Sequence, residues 1–365
     1  MYDVLVVGAG FAGAVLAERF ASQHSARVLV IDKRPHIGGN AFDEYDAHGV
    51  RVHRYGPHLF HTNDARVFTY LSRFTDWRPY RHKVRALVQG RLVPMPVNRD
   101  TLNMLFDAGL RSEDEARAFL EAEKVRIPAL MNSEDVVLSK AGPRLFALLY
   151  RGYTRKHWGV EARALAPTVC GRLPVRFDCN EYYFDDRYQA IPLEGYSALF
   201  RRMLEHRGIE VRTGVSFQEL RTLRWKHLIY TGPIDEYFEY CHGPLPYRSL
   251  SFRYETHRSA AVQEVAQINY PNDFAYTRSI EYKHITGQQS AFSTIAYEYP
   301  EEEGEPFYPV PNPENRGRYN LYRRMAEALE DVTFVGRLAS YQYLNMDQVV
   351  AQALVTYRKL TGGGG

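Results

Sequence analysis

The chain has 365 residues, of which 45% are hydrophobic, and a formal net charge of +3. This length exceeds the roughly 250 to 300 residues at which one hydrophobic core stops growing, so two or three domains are expected. The small net charge and the dispersed basic residues argue against nucleic-acid binding, and the chain lacks the run of about 18 apolar residues that a membrane-spanning helix requires.

The cysteines predict a reducing compartment. Cys170, Cys179 and Cys241 are odd in number and lack the spacing of metal ligands, so we expect free thiols and no metal site. Because the first predicted strand begins at residue 2, we expect no signal peptide and a cytoplasmic protein.

The first 32 residues carry a dinucleotide-binding pattern. An apolar strand at residues 4–7 runs into Gly8, Gly10 and Gly13, and an apolar helix follows. Such glycines permit a tight turn, the close approach of a pyrophosphate and the packing of helix against strand. A second apolar strand ends in Asp32, close to the position from which an acid binds a ribose 2′-hydroxyl. The pattern predicts a Rossmann-like site for NAD or FAD, and the alternative is a tight turn without a ligand.

The next segment favours FAD. Gly38 and Gly39 follow the second strand, and a glycine pair lets the backbone pass close to a second part of an extended cofactor. The alternative is an ordinary loop. His58 and His61 are three residues apart, but Gly-Pro precedes them and no third ligand is evident, so we predict no metal there.

The middle of the chain predicts an inserted helical unit. Residues 64–74 are expected to be helical, and residues 81–97 form a hairpin. From residue 98 to about residue 158, capping and apolar patterns predict several helices. The unit ends at residues 150–159 in a basic, aromatic stretch flanked by glycines, which we predict to be a mobile lid. The alternative is the end of a surface helix.

The second half returns to the nucleotide domain and adds a sheet. Period-two patterns predict consecutive antiparallel strands, which would form the second wall of a cleft, at residues 250–255, 261–268, 276–284 and 290–299. Elements assigned to the nucleotide domain are a helix at 196–207, strands at 209–211, 226–232 and 332–335, and helices at 321–329 and 347–360. A loop is predicted at 300–313 in the sheet domain.

We therefore predict an α/β fold: a discontinuous Rossmann-like FAD-binding domain with an inserted α-helical bundle and an antiparallel β-sheet domain. The predicted boundaries are 1–76, 193–240 and 320–361 for the FAD-binding domain, 98–170 for the helical bundle with its lid, 77–97, 171–192 and 241–319 for the sheet domain that binds substrate, and 362–365 for a flexible tail.

Several longer motifs resemble those of the bacterial UDP-galactopyranose mutases over nearly the whole chain. They are the glycine turn at 8–13, His58-Leu59-Phe60-His61-Thr62, and the stretches 153–159, 230–237, 276–284 and 336–343. The resemblance implies FAD that is active only when reduced, a UDP-galactose substrate, an external reductant such as NAD(P)H, and a homodimer.

The resemblance also implies the reaction, an interconversion of UDP-galactopyranose and UDP-galactofuranose without net redox change. The electron-rich N5 of reduced flavin would attack the anomeric carbon as UDP departs. The resulting flavin–sugar adduct would let the ring open and reclose through another hydroxyl. The alternative is an FAD-dependent oxidase or desaturase of the amine-oxidase type, which would bind an apolar substrate.

The same resemblance implies roles for individual residues. Arg172 and Arg278 would clamp the substrate diphosphate, and with His61 and Arg337 they are the expected catalytic residues. Further substrate contacts are expected from Tyr150, Tyr153, Thr154, Trp158, Tyr183, Asn269, Tyr308, Tyr343 and His82. Cofactor contacts are expected from Gly8, Gly10, Phe11, Ala12, Gly13, Asp32, Lys33, Gly39, Asn40, His58, Leu59, His61, Gly336, Arg337, Tyr343 and Met346.

Two positions depart from the family pattern. His157 stands where many relatives have glutamine, and Asn345 stands where many have aspartate. We expect both to affect local detail rather than the reaction. For Arg278, the alternative role is a cross-strand ion pair with Glu281 or Glu255.

Overall fold

A computed structural model describes residues 1–220 and 222–362. The predicted tail at 362–365 lies outside the described residues, apart from Gly362. Within the described ranges, no helix combines the length and the apolar composition needed to cross a membrane.

The first part of the chain alternates strands with two helices. The elements are β1 (Tyr2–Val7), α1 (Phe11–His24), β2 (Val28–Asp32), β3 (Asp43–Tyr45), β4 (Arg51–His53), β5 (Phe60–Thr62), α2 (Ala65–Leu71), β6 (Trp77–Pro79), β7 (Val84–Val88) and β8 (Arg91–Met95).

The middle is helical, as predicted. It comprises α3 (Arg99–Phe106), α4 (Glu113–Glu123), α5 (Ser133–Leu145), a π-helix (Phe146–Arg151), α6 (Gly152–Trp158) and α7 (Thr168–Gly171). α5 is interrupted just before Pro143, because Gly142 has φ +82° and ψ 171°, which are not helical values.

The remaining elements complete both sheets. They are β9 (Tyr188–Pro192), α8 (Tyr196–Leu204), β10 (Ile209–Thr213), β11 (Trp225–Tyr230), α9 (Ile234–Tyr237), β12 (Tyr247–His257), β13 (Gln267–Asn269), β14 (Arg278–Glu281), α10 (Tyr282–Thr286), β15 (Ser293–Glu301), β16 (Tyr308–Pro309), α11 (Pro313–Glu327), β17 (Val332–Phe334) and α12 (Met346–Leu360).

The Rossmann-like sheet is fully parallel, in the order β10-β2-β1-β11-β17. β2 is buried along its whole length, and Leu5 and Val6 of β1 are fully buried, as expected of strands covered on both faces. α1, α8 and α12 pack on one face of this sheet. β10, β11 and β17, which come from the second half of the chain, lie in the same sheet as β1 and β2.

The second sheet has seven strands, in the order β16-β12-β15-β14-β13-β7-β8. Neighbouring strands are antiparallel except β13 and β7, which run parallel. β7 and β8 share a core with α3, α4 and α5, so the helical insert packs on the sheet at this end. A separate three-stranded sheet, β5-β9-β6, carries His61.

Three expectations about secondary structure were wrong. Of the strand predicted for 261–268, only residues 267–268 belong to β13, because the amides of Val262 and Gln263 donate to the carboxylate of Glu281 instead of to a neighbouring strand. The strand predicted for 276–284 ends at Glu281, and α10 follows, because Tyr282 and Ile285 are buried three residues apart, which is helical spacing. α11 begins at Pro313 instead of residue 321. Asn312 caps it: its side-chain Oδ1 accepts a hydrogen bond from the backbone amide of Asn315 at 2.8 Å, and a proline stands in the first turn.

Lys156 connects the helical insert to the seven-stranded sheet. Its ammonium group lies within hydrogen-bond distance of four backbone carbonyl oxygens in the loop between β13 and β14, which share its three N–H donors and belong to Tyr270, Asp273, Phe274 and Tyr276. The distances are 3.0 Å to Asp273 and 3.2 Å to both Phe274 and Tyr276. Since this loop leads directly into β14, Lys156 fixes α6 relative to the strand that begins with Arg278.

We therefore expect Lys156→Met to destabilise the protein. The substitution removes a charged donor from several carbonyls at once, so the free energy of unfolding should fall by about 2 kcal/mol, measured by urea titration of the purified protein. The control is Lys226→Met, since the Lys226 side chain is 65% exposed and pairs with the surface residue Asp3 at 2.7 Å. Equal losses in the two variants would contradict this role.

Candidate active site

The first cavity lies at the carboxyl ends of the parallel strands, and we call it the nucleotide cleft. It encloses about 220 Å³ and is bordered by residues that follow β1, β2, β11 and β17, which is where open α/β sheets bind nucleotides. Most of the predicted cofactor residues line it: Gly8, Gly10, Phe11, Ala12, Asp32, Lys33, Gly39, Asn40, His58, Gly336, Arg337 and Met346.

The glycine turn between β1 and α1 suits a phosphate group. Gly8 has φ +104°, and a Cβ there would stand 2.0 Å from Oγ1 of Thr231. Gly10 is the N-cap of α1, and within the described part of the chain no side chain caps this helix. The first amides of α1 therefore border the cleft without a side-chain acceptor. Gly13 does not line the cleft. A Cβ there would stand 1.9 Å from the carbonyl oxygen of Gly8, so this glycine is needed for the close packing of α1 against the turn.

Asp32 has a structural role that sequence reasoning missed. Its Oδ2 accepts a hydrogen bond from the amide of Ala9 at 2.8 Å, and its Oδ1 accepts one from the amide of Arg34 at 2.9 Å. The carboxylate thus ties the glycine turn to the end of β2. Because each carboxylate oxygen has two lone pairs, Asp32 can still accept a hydroxyl of a ligand in the cleft.

A second cavity of about 350 Å³ adjoins the nucleotide cleft, since His58, Arg337 and Met346 line both. We call it the arginine cavity. Besides these three, the predicted site residues that line it are Leu59, His61, His82, Arg172, Tyr183, Arg278, Tyr308 and Tyr343. Residues far apart in the sequence are thus brought together next to the cleft.

Tyr343 lies between two of the arginines. The Arg172 guanidinium stacks 4.3 Å from the centre of the Tyr343 ring, and its Nη2 donates to the Tyr343 hydroxyl at 3.2 Å. Arg337 lies 5.4 Å from the same ring centre. Burial acts to raise the pKa of Tyr343, but the positive charges of Arg172 and Arg337 outweigh it, so the pKa lies below its ordinary value. A lowered pKa makes the Tyr343 hydroxyl a stronger hydrogen-bond donor, while its oxygen accepts from Arg172.

Arg278 forms a buried ion pair with Glu298 across β14 and β15. Its Nε and Nη2 donate to Oε2 of Glu298 at 2.8 and 2.6 Å, and the Glu298 side chain is fully buried. The expected partners of the alternative role, Glu281 and Glu255, were wrong. Arg278 is directly opposite Glu298 in the register of the two strands, whereas Glu255 is opposite Ile295. Among the described residues, no protein group bonds to Nη1 of Arg278.

The charges around the arginine cavity favour an anionic ligand. Three guanidinium groups line it, those of Arg172, Arg278 and Arg337. Of its two lining carboxylates, Asp185 forms an ion pair with Arg176 at 2.7 Å, and Asp186 is hydrogen-bonded to Nδ1 of His61 at 2.8 Å, so positive charges outnumber negative ones around the cavity. Guanidinium groups bind the oxygens of phosphates in bidentate fashion, so the cavity suits a phosphate-bearing ligand.

Five predicted substrate residues do not line the arginine cavity: Tyr150, Tyr153, Thr154, Trp158 and Asn269. They form a layer behind its wall. The Tyr153 ring stacks on His157 with 5.8 Å between centres, and Trp158 is 5.9 Å from the ring of Tyr343. Of the five predicted substrate residues in this layer, Tyr153 is half-buried and the other four are buried.

His157, one of the two departures from the family pattern, lies in this layer. Its ring is buried, and burial together with the charge of Arg278 lowers its pKa to about 3, so it is neutral. Its Nδ1 has no hydrogen-bond partner among the described residues and lies 3.9 Å from Oε1 of Glu298. His157 therefore adds no charge to the site.

Sequence reasoning missed several lining residues. The arginine cavity also includes Tyr55, Leu173, Phe184, Asp186 and Gln267, and the nucleotide cleft also includes 215–218, 230–233, Glu236 and Glu305. Residues 230–233 could have been found, because they follow the parallel strand β11 and such positions meet at one edge of the sheet. The others come mostly from irregular segments, which carry no such signal. Across 1–220 and 222–362, no group of three or more His, Cys, Asp or Glu side chains could hold a metal ion.

The chain is similar to known mutases along its length. A family model for UDP-galactopyranose mutase matches residues 148–343, and a model for an NAD(P)-binding Rossmann-like domain matches residues 6–74. A probable UDP-galactopyranose mutase of Klebsiella pneumoniae is 36% identical, covering 97% of this chain and 93% of that protein. A dTDP-fucopyranose mutase of Escherichia coli is 34% identical, with 97% of each chain covered.

A solved structure has the same fold. The crystal structure of a reduced UDP-galactopyranose mutase superposes with a TM-score of 0.80 at 13% identity, covering 100% of this chain and 94% of the other. On the sequence similarity, which extends over almost the whole chain, this protein belongs to the UDP-galactopyranose mutase family.

Proposed function

We propose that this protein interconverts UDP-galactopyranose and UDP-galactofuranose with the help of reduced FAD. Membership of the mutase family supports an isomerase. The observation that carries the proposal is the arginine cavity, in which three guanidinium groups face one space directly beside the nucleotide cleft. A nucleotide sugar has a diphosphate next to the reacting carbon, so its anionic part would lie against these groups.

FAD is supported by the family and by the Rossmann-like domain. The uncapped start of α1 and the glycine turn would bind its pyrophosphate, and Asp32 would accept a ribose hydroxyl. The chemistry that FAD would supply, when bound and reduced, is an electron-rich N5 that could replace UDP on the anomeric carbon while the sugar ring opens and recloses, with UDP returning to that carbon at the end, so that no net redox change results. His58 and Met346 would lie where the cofactor passes from the cleft to the arginine cavity.

The arginines would bind the substrate diphosphate. Arg172 presents its guanidinium group over Tyr343, and Arg278 keeps Nη1 for a ligand because Nε and Nη2 are used by Glu298. Tyr183, Tyr308 and Tyr343 would add hydroxyl contacts to the phosphate oxygens, while Arg337 would lie near the flavin and the sugar. Positive charges held in a partly buried cavity stabilise a leaving diphosphate more than they would in water.

The five predicted substrate residues behind the cavity wall would reach the substrate only after a movement of the predicted lid. Tyr150, Tyr153, Thr154, Trp158 and Asn269 would contact the nucleoside only if the predicted lid at 150–159 opens, because they do not line the cavity. We also infer from the family a homodimer, a cytoplasmic location and an external reductant such as NAD(P)H. The three-domain boundaries predicted above are part of the same proposal.

A second substrate deserves a direct test. The dTDP-fucopyranose mutase of E. coli is nearly as similar to this chain as the mutase of K. pneumoniae, at 34% against 36% identity. The arginine cavity would bind the diphosphate of either nucleotide sugar. The competing function in another class, an oxidase of the amine-oxidase type, is disfavoured because three arginines face the cavity.

We expect the purified protein to contain FAD and to isomerise UDP-galactofuranose only after reduction with dithionite. Product formation is measured by chromatography of the nucleotide sugars, with the oxidised protein as the control. Net consumption of oxygen with an amine substrate would instead support the oxidase. A higher kcat/KM for dTDP-fucofuranose than for UDP-galactofuranose would change the sugar and the base in this proposal but not the reaction.

We expect Arg278→Lys to lower kcat/KM at least about 100-fold, corresponding to about 3 kcal/mol of lost transition-state binding, while FAD content stays unchanged. Lysine is chosen over alanine because alanine would leave Glu298 buried without a counter-charge. Arg253→Lys is the control, since Arg253 is exposed on the same sheet and stacks on Tyr299 at 4.8 Å. Wild-type activity in Arg278→Lys would remove this residue from the site.

A further inference from the structure

We propose that Asp186 fixes the ring of His61 so that Nε2 of His61 accepts a hydrogen bond from a hydroxyl group of the sugar. Asp186 is a positioning residue in this inference, and His61 is the residue that touches the ligand. The identity of the ligand rests on the proposed function, whereas the state of the ring rests on the contacts described below.

His61 faces the arginine cavity because of its place in β5. The strand runs Phe60–Thr62, and its two outer residues are buried, so the alternation of side chains directs His61 to the opposite face. The His61 side chain retains 14% of its exposure and lines the cavity. β5 pairs with β9, and Asp186 lies just before that partner strand.

The hydrogen bond between the two side chains selects one tautomer of the ring. Nδ1 of His61 lies 2.8 Å from Oδ2 of Asp186. Oδ1 of Asp186 accepts a hydrogen bond from the side-chain amide of Asn63 at 2.8 Å. An ionised carboxylate can only accept, so Nδ1 must carry the hydrogen. In the neutral ring the lone pair is then on Nε2.

The surroundings hold both partners in place. The His61 ring is stacked on Phe184, with 3.8 Å between centres and 15° between planes. The side-chain amide of Gln189, which belongs to β9, donates to the backbone carbonyls of Asp186 at 2.8 Å and of Phe184 at 3.3 Å. The segment that carries the carboxylate and the stacking ring is thus tied to the strand next to His61.

Nε2 is an acceptor in a cavity that is rich in donors. No protein group in the described part of the chain hydrogen-bonds to it, whereas Nδ1 is fully used. Arg172, Arg278 and Arg337 can only donate. The lining carboxylates have partners, which are Arg176 for Asp185 and His61 itself for Asp186. A sugar brings hydroxyl groups that need acceptors, and Nε2 of His61 supplies one.

The ring state is tested by nitrogen NMR on the FAD-loaded protein with ¹⁵N-labelled histidine. The His61 signals are assigned by their loss in His61→Asn. We expect the neutral Nδ1–H tautomer in the wild type and a mixture of tautomers in Asp186→Asn. A dominant Nε2–H tautomer or a doubly protonated ring in the wild type would overturn the inference, whether or not the protein is a mutase.

The consequence for the reaction is tested by kinetics of the same variants. We expect Asp186→Asn to lower kcat about 10- to 100-fold with little change in KM, because the diphosphate contacts remain. Asp64→Asn is the matched control: Asp64 caps α2 near the same strand, and asparagine caps a helix as well as aspartate does. An unchanged kcat in Asp186→Asn would overturn the role, and a wild type that isomerises no nucleotide sugar would instead defeat the proposed function. If Asp186→Asn does not fold, the tautomer in the wild type decides.

Discussion

The buried ion pair between Arg278 and Glu298 is the constraint on which the site depends. A guanidinium group in a protein interior requires a counter-charge, and the register of β14 and β15 places Glu298 directly opposite it. Because Nε and Nη2 of Arg278 both donate to Glu298, the guanidinium group is held rigidly on the sheet, and this fixes the direction of Nη1. The loop held by Lys156 leads into the same strand, which extends the constraint to the helical insert.

The nucleotide-binding half was predictable because its signals are local. Apolar strands, glycines at fixed spacing and a terminal acid occur within the first 32 residues, and the structure has the parallel sheet that they predict. Helix ends depend on capping residues, and the start of α11 was wrong because Asn312 and Pro313 were assigned to a loop. The parallel pairing of β13 with β7 has no sequence signal, since it joins segments about 180 residues apart.

Site contacts between distant segments were harder to predict. The ion pair of Arg278 was expected with an acid on its own or a neighbouring strand, but only strand register identifies Glu298 among several candidates. Asp32 was expected to bind ligand, and its bonds to two backbone amides depend on how the glycine turn folds back on β2. Asp186 was not singled out at all, because its partner His61 is 125 residues away. The resemblance to a family identified many of the lining residues, but it did not predict which of them form hydrogen bonds or ion pairs with one another.

Asn345, the second departure from the family pattern, has a consequence for how quickly a ligand arrives. It caps α12, its amide donating to Oε1 of Gln348 at 2.8 Å, and it also lines the arginine cavity. Asparagine and aspartate cap helices equally well, so the helix is unaffected while the rim of the cavity has one negative charge fewer. Long-range attraction accelerates the encounter with a diphosphate and is screened by salt. Association in this chain should therefore be faster, and more sensitive to ionic strength, than in a relative with the acid.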